Sequence, residues 1–72
     1  MAKPRLFEHL AHPLLGQPVR DIASGTEGEL TAVVEEEQER AFAAPLRVRL
    51  AYIRMASGRE MSTAVGNIQA LR

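Results

Sequence analysis

Arg47, Arg49, Arg54 and Arg59 crowd one short stretch of this chain, with Tyr52 among them. A guanidinium is a planar fork of donors suited to phosphate, so the cluster is a candidate nucleic-acid surface. Single-strand binding usually adds aromatic rings on the same face. Tyr52 is the one aromatic in this stretch, and its parity sets it with the apolar residues Leu46, Val48 and Leu50. The glutamates Glu35, Glu36, Glu37 and Glu39 form the opposite cluster. Catalytic carboxylates need an enclosed pocket that separates their pKa values, and a run at a strand end is ordinarily a solvated edge. If residues 29–37 pair with residues 46–54, these glutamates come beside Arg47 and Arg49, and mutual neutralisation follows.

The remaining reactive side chains form no set. His9 and His12 have a spacing that can place two imidazoles on one helical face, but no third ligand stands at a metal-binding distance along the chain. They read as polar residues of a terminal helix. Ser24, Ser57, Ser62 and Thr63 have no base partner in sequence, and no phosphate loop, zinc pattern or dinucleotide fingerprint occurs. The expectation is a protein that is not an enzyme and carries no cofactor or metal.

Elements must position these groups. In "KPRLFEHLAHPLL", Pro4 suits a first helical turn, and Leu6, Phe7, Leu10 and Ala11 share a helical face, with Pro13 ending it. A short N-terminal helix is expected over residues 1–13. Beyond it, "QPVRDIA" reads as a weak strand, "SGTEG" as a turn and "ELTAVVEEE" as a strand carrying Leu30, Val33 and Val34. "QERAFAAP" is a loop closed by Pro45. "LRVRLAYIRM" is the clearest strand, with Arg47 and Arg49 on the face opposite Leu46, Val48, Leu50 and Tyr52. "REMSTAV" alternates again, and "GNIQALR" turns at Gly66-Asn67 before a last apolar pair, Ile68 and Leu71.

The stretch "RMASGREMST" specifies its own register. A three-residue loop of Ala56, Ser57 and Gly58, with glycine in the left-handed conformation, sets Met55 opposite Arg59. Arg54 then faces Glu60 as a cross-strand ion pair, worth about 0.2–1 kcal/mol. Ile53 faces Met61, Tyr52 faces Ser62 and Ala51 faces Thr63. Along this strand the apolar face is even-numbered at first and odd-numbered near the tip. A bent strand with bulges accommodates that switch, and a flat meander does not.

At 72 residues the chain holds one small domain with a modest core. It has no cysteine, which excludes disulfides and thiolate metal sites. Its apolar runs are too short to span a bilayer, and Met1–Pro13 lacks a signal-peptide core, so a cytoplasmic location is expected. Net charge is zero, yet residues 14–45 carry two basic against seven acidic groups, and residues 46–72 carry five arginines against Glu60.

The segment "VRLAYIRMASGREMSTAVGNIQALR" resembles the second half of Src-homology-3-like small barrels, the Tudor type above all. That resemblance implies a strand, a glycine turn, a second strand with an acidic start, a short 3₁₀ turn and a brief last strand. "LLGQPVRDIASGTEGELTAVV" resembles the opening of such barrels. The chain is also similar to small actinobacterial proteins of this size, a likeness that implies no activity. Tudor-type function would imply an aromatic cage for methylated Lys or Arg. The only aromatics are Phe7, Phe42 and Tyr52, with Phe7 placed outside the barrel, so only the fold is carried over. The expectation is an all-β, five-stranded Src-homology-3-like small barrel over residues 14–72 behind the short N-terminal helix. Its expected role is a non-catalytic protein-interaction module with a protein partner. One alternative is nucleic-acid binding by strand 46–54 through Arg47, Arg49, Arg54, Arg59 and Tyr52. The other is a homo-oligomeric structural subunit, and no membrane partner is expected on any of these readings.

Overall fold

The computed structural model describes residues 6–71. Among them, strands β1 (Leu6–His9), β2 (Pro18–Asp21), β3 (Glu27–Gln38), β4 (Leu46–Arg54) and β5 (Glu60–Ala64) are followed by a 3₁₀ helix, Val65–Asn67, and strand β6 (Ile68–Ala70). The strands form one antiparallel sheet in the order β5-β4-β3-β2-β6, with β1 alongside β3. No helix among the described residues is long and apolar enough to cross a membrane.

The all-β reading of the sequence is correct, though the described residues form six strands where five were expected, because β1 takes the place of the N-terminal helix. The hairpin register expected from "RMASGREMST" is the one observed. Arg54 faces Glu60, Ile53 faces Met61, Tyr52 faces Ser62 and Ala51 faces Thr63. Gly58 sits at φ 89°, and the Met55 N–H donates to the Arg59 carbonyl at 2.8 Å. The 3₁₀ helix and short final strand also follow the expected order.

The N-terminal helix is a correction. Leu6–His9 is a strand, paired with β3 from Leu6 opposite Glu37 to His9 opposite Val34. Residues 1–5, where the helix was expected to begin, lie outside the described residues. A helix this short is marginal without a partner face. The same residues also alternate with period two, Phe7 and His9 on one side and Glu8 on the other. Pairing with the long β3 satisfies their backbone groups, and the ladder outweighs the weak helical pattern.

The 12-residue strand β3 organises the sheet. One edge pairs with β4 from Glu29 to Gln38. The other pairs with β2 near its start, at Glu27–Glu29, and with β1 near its end, at Val34–Glu37. Its register against β4 slips between Leu30 and Ala32, leaving Thr31 as an extra residue, a β-bulge. The Thr31 hydroxyl donates to the Tyr52 carbonyl across the bulge at 3.2 Å. Leu30 and Val33, three apart, consequently face the same side, opposite Ile53 and Ala51. With Val19 these residues form the buried core, closed by Leu10, Leu14, Met61, Val65 and Ile68. Each fully buried Val, Leu or Ile contributes about 1.5–3 kcal/mol.

Asp21 joins the two ends of the sheet. Only 2% of its surface is exposed. Its carboxylate accepts from the Ser24 hydroxyl at 2.6 Å and the Ser24 N–H at 3.1 Å, both on Oδ2. Oδ1 accepts from the Thr63 hydroxyl at 2.9 Å, whose oxygen accepts in turn from Asn67 Nδ2 at 3.1 Å. The end of β2 is thereby tied to β5 and the 3₁₀ helix. The Ser24 hydroxyl bond is the largest influence on Asp21, holding its carboxyl below the usual 3.8 against the opposing effect of burial. The Thr63 hydroxyl and the Ala23 and Ser24 backbone N–H groups pull in the same direction as Ser24.

Two outcomes test this account. Gly28 packs close to the end of β4; an added methyl would come within 2.8 Å of the Arg54 carbonyl carbon and 2.9 Å of Ile53 Cγ2. Gly28→Ala should cost about 1–3 kcal/mol or more in urea unfolding, whereas Gly66→Ala, with open space around it, should change stability far less. For Asp21 the folded pKa lies below the unfolded one, so its contribution is complete above the unfolded value and fades as pH falls through the folded value. The stability difference between the native chain and Asp21→Asn should therefore be largest near neutral pH and shrink under acid, below about pH 4. A difference that stays constant across that range would overturn the role given to the carboxylate.

Candidate binding surface

Of the arginines predicted as a binding surface, Arg47 and Arg49 share one face of β4, Arg54 has the opposite parity and Arg59 lies beyond the strand, and carboxylates already stand beside the first three. Glu35 pairs opposite Arg49, and Glu37 opposite Arg47. Arg49 Nε donates to Glu35 Oε1 at 3.0 Å, and an Arg47 terminal nitrogen donates to Glu35 Oε2 at 3.2 Å. Arg47 Nε also lies 3.8 Å from Glu37. Arg54 stands 3.5 Å from Glu60 at the hairpin end. Both pairings were expected from the sequence. The arginine of each pair is solvent-exposed, although Glu35 keeps only 13% of its side-chain surface in solvent, so screening limits what each contributes to stability. Arg59, at the exposed turn, has no carboxylate partner among the described residues.

Tyr52 is not with the core. The core takes Ala51 and Ile53, the odd-numbered side of β4, and Tyr52 lies half-buried on the other side. Its shared parity with Leu46, Val48 and Leu50 does not bring it into the core, because that longer apolar run belongs to the part of β4 beyond the core. There the odd side carries the charge ladder, and the even side is shared, across β3, with Phe7 and His9 of β1.

That even side carries a surface the sequence reading missed. β1 brings Phe7 opposite Glu36 and His9 opposite Val34, on the same face as Tyr52. Phe7 and His9 meet edge to face, ring centroids 5.4 Å apart. An open groove of about 200 Å³ runs between them and Tyr52, with Ala32 and Val34 beneath and Thr31 and Glu60 at its rim. Its walls are predominantly apolar. Val34 is fully buried here, outside the main core, while Phe7 remains 53% exposed. Phe7, placed outside the barrel on sequence grounds, in fact shares a groove with Tyr52. The signal that could have found it is the alternation Phe7-Glu8-His9, which competed with a helical pattern over the same residues.

Glu36 is buried beside this groove, 7% exposed. The Tyr52 hydroxyl donates to its Oε2 at 2.9 Å. The parity of Glu36 matches Val34 and not its charged neighbours Glu35 and Glu37, which distinguishes it within the acidic run. Burial chiefly, then the Glu36 hydrogen bond and the negative charges of Glu36 and Glu60, push Tyr52 ionisation above the usual 10.0. His9 lies on this face and His12 in the following turn, where its Nδ1 accepts from the Leu14 N–H at 3.1 Å. Among the described residues no group of three or more His, Asp or Glu side chains gathers in a way that could hold a metal ion. No known protein family, curated protein or solved structure matches the chain.

Because the chain has one tyrosine and no tryptophan, ultraviolet absorbance of tyrosinate reads Tyr52 alone. The titration midpoint should lie above 10.0 and move down, though not fully, in Glu36→Gln, since burial remains. An unshifted native midpoint would show that the hydroxyl is not held against Glu36. Tyr52→Phe, which leaves a buried carboxylate oxygen without its donor, should cost about 1–3 kcal/mol.

Proposed function

We propose that this chain is a non-catalytic protein-interaction module built on a small Src-homology-3-like barrel. The barrel reading draws support from the strand order β5-β4-β3-β2-β6, the 3₁₀ helix between the last two strands and the bulge in β3. Asp21, bonded to Thr63 from the far side of the sheet, supports closure as well.

The observation that carries the interaction role is the open, apolar groove between Phe7, His9 and Tyr52. A half-exposed phenylalanine beside a half-buried tyrosine over an aliphatic floor has the character of a pocket for an apolar side chain of a partner. The Tyr52–Glu36 bond fixes the tyrosine ring, so little conformational freedom is lost when a partner docks.

The second reading is nucleic-acid binding by β4. The guanidiniums of Arg47, Arg49 and Arg54 keep 61%, 67% and 58% of their side-chain surface in solvent, which favours it. Glu35, Glu37 and Glu60 cancel much of their charge, which weighs against it and leaves it second.

Selection from a displayed peptide library against the full chain tests the first reading. Enriched peptides should share an apolar anchor, perturb Phe7, Val34 and Tyr52 resonances, and lose affinity by roughly tenfold or more with Phe7→Ala. Enrichment without a shared anchor, or binding indifferent to Phe7, would sink the groove. A low-salt mobility shift that disappears in Arg47→Ala/Arg49→Ala would instead promote the second reading.

A further inference from the structure

β4 is longer than the strand on its outer side. It pairs with β3 from Leu46 to Arg54, but β5 reaches only from Leu50 to Arg54. The phase of the ladder decides where the uncovered backbone points. The Met55 N–H to Arg59 carbonyl bond, 2.8 Å, makes that pair a hydrogen-bonded one. Bonded pairs recur at every second residue of an antiparallel ladder, so Ile53 and Ala51 direct their polar groups at β5. In the same phase Arg47 and Arg49 direct theirs to that side, away from β3. The Leu10 N–H to Val33 carbonyl bond, 2.8 Å, gives β3 the complementary phase. Beyond the end of β5, the Arg47 N–H and carbonyl and the Arg49 N–H face no strand among the described residues.

The side chains along this edge form a pattern. Arg47 and Arg49 project on one face, and Leu46 and Val48 on the other, Leu46 being 41% exposed. Across the sheet the rows read Glu37 then Arg47, and Glu35 then Arg49. The next member that continues each row favourably is acidic, and the one beside Val48 is apolar. A second copy of this chain using the same edge would set arginine against arginine, which is repulsive. Arginines on an open edge act in this way against self-association.

We propose that the outer edge of Leu46–Arg49 accepts an extended segment of a partner protein as an added antiparallel strand. Its residues opposite Arg47 and Arg49 are acidic, and the residue between them is apolar. Main-chain bonds supply the docking, and the guanidinium donors that Arg47 and Arg49 still expose beside Glu35 and Glu37, with 61% and 67% of their side-chain surface in solvent, supply the selection. The proposal deepens the interaction-module reading but does not depend on the groove, which uses Phe7 and Tyr52.

The probe is a blocked peptide, Thr-Glu-Val-Glu-Val-Thr, titrated into the isotope-labelled full chain. Expected are slowed exchange of the Arg47 and Arg49 amide protons, shifts centred on residues 46–49, and binding that weakens with salt. Arg47→Gln/Arg49→Gln should reduce affinity by roughly tenfold or more. The same peptide with Lys in place of Glu should bind no better than background. A peptide N-methylated at the amides that meet the edge tests the backbone bonds without altering the protein, and it should not bind. Equal binding of the acidic, lysine and N-methylated peptides would overturn the proposal. So would amide protection that appears on concentrating the free chain, which would mean that a second copy occupies the edge. Shifts confined to Phe7, Val34 and Tyr52 would overturn it too, while leaving the groove reading intact.

Discussion

The whole arrangement depends on one extra residue in β3. In a regular strand, Leu30 and Val33 would face opposite sides, and the core would lose one of them. With Thr31 bulged out, both meet Ile53 and Ala51. The bulge adds local twist and bend, and β3 takes β2 as neighbour before it and β1 after it. Past the bulge the alternation sends Val34 and Glu36 to the outer face, where Phe7, His9 and Tyr52 gather. Core and groove are therefore two sides of one strand whose parity was reset once.

Polar groups are placed by the same geometry. Glu35 and Glu37, on the core side but beyond the core, meet arginines at the surface. Glu36, on the groove side, is buried and takes the Tyr52 hydroxyl. Three adjacent glutamates thus serve two different purposes because a strand alternates, and only the middle one requires a specific donor. Asp21 belongs to a third setting. Its carboxylate has four partners within its own turn and across the sheet, consistent with the cost of burying a charge without hydrogen bonds.

Much of this was legible from residue types. The β4–β5 hairpin was fixed by Gly58, the Arg54–Glu60 pair and the Ile53–Met61 pair, all local signals that agree. The pairing of Glu35 and Glu37 with Arg47 and Arg49 followed once the two strands were taken as neighbours. What could not be read was anything requiring long-range choice. The residues of β1 fit two periodicities, and only the presence of an open β3 edge selects the strand. The face of Tyr52 depends on which half of β4 overlies the core, and its own alternation does not contain that information. Asp21 carried no signal of its own within the weak strand "QPVRDIA", because its partner Thr63 lies far along the chain.

That separation has a kinetic side. The β4–β5 hairpin closes a loop of only a few residues, so its contacts can form early and cheaply. The pairing of Val19 with Ala70 and the bond from Thr63 to Asp21 join segments far apart along the chain and carry a far larger closure entropy. If the hairpin belongs to the folding nucleus and the seam between β2 and β6 forms after the barrier, damage to the hairpin slows folding. Damage at Asp21 then chiefly hastens unfolding. The lifetime of the folded state would in that case be governed at the seam, where β6 contributes only three residues.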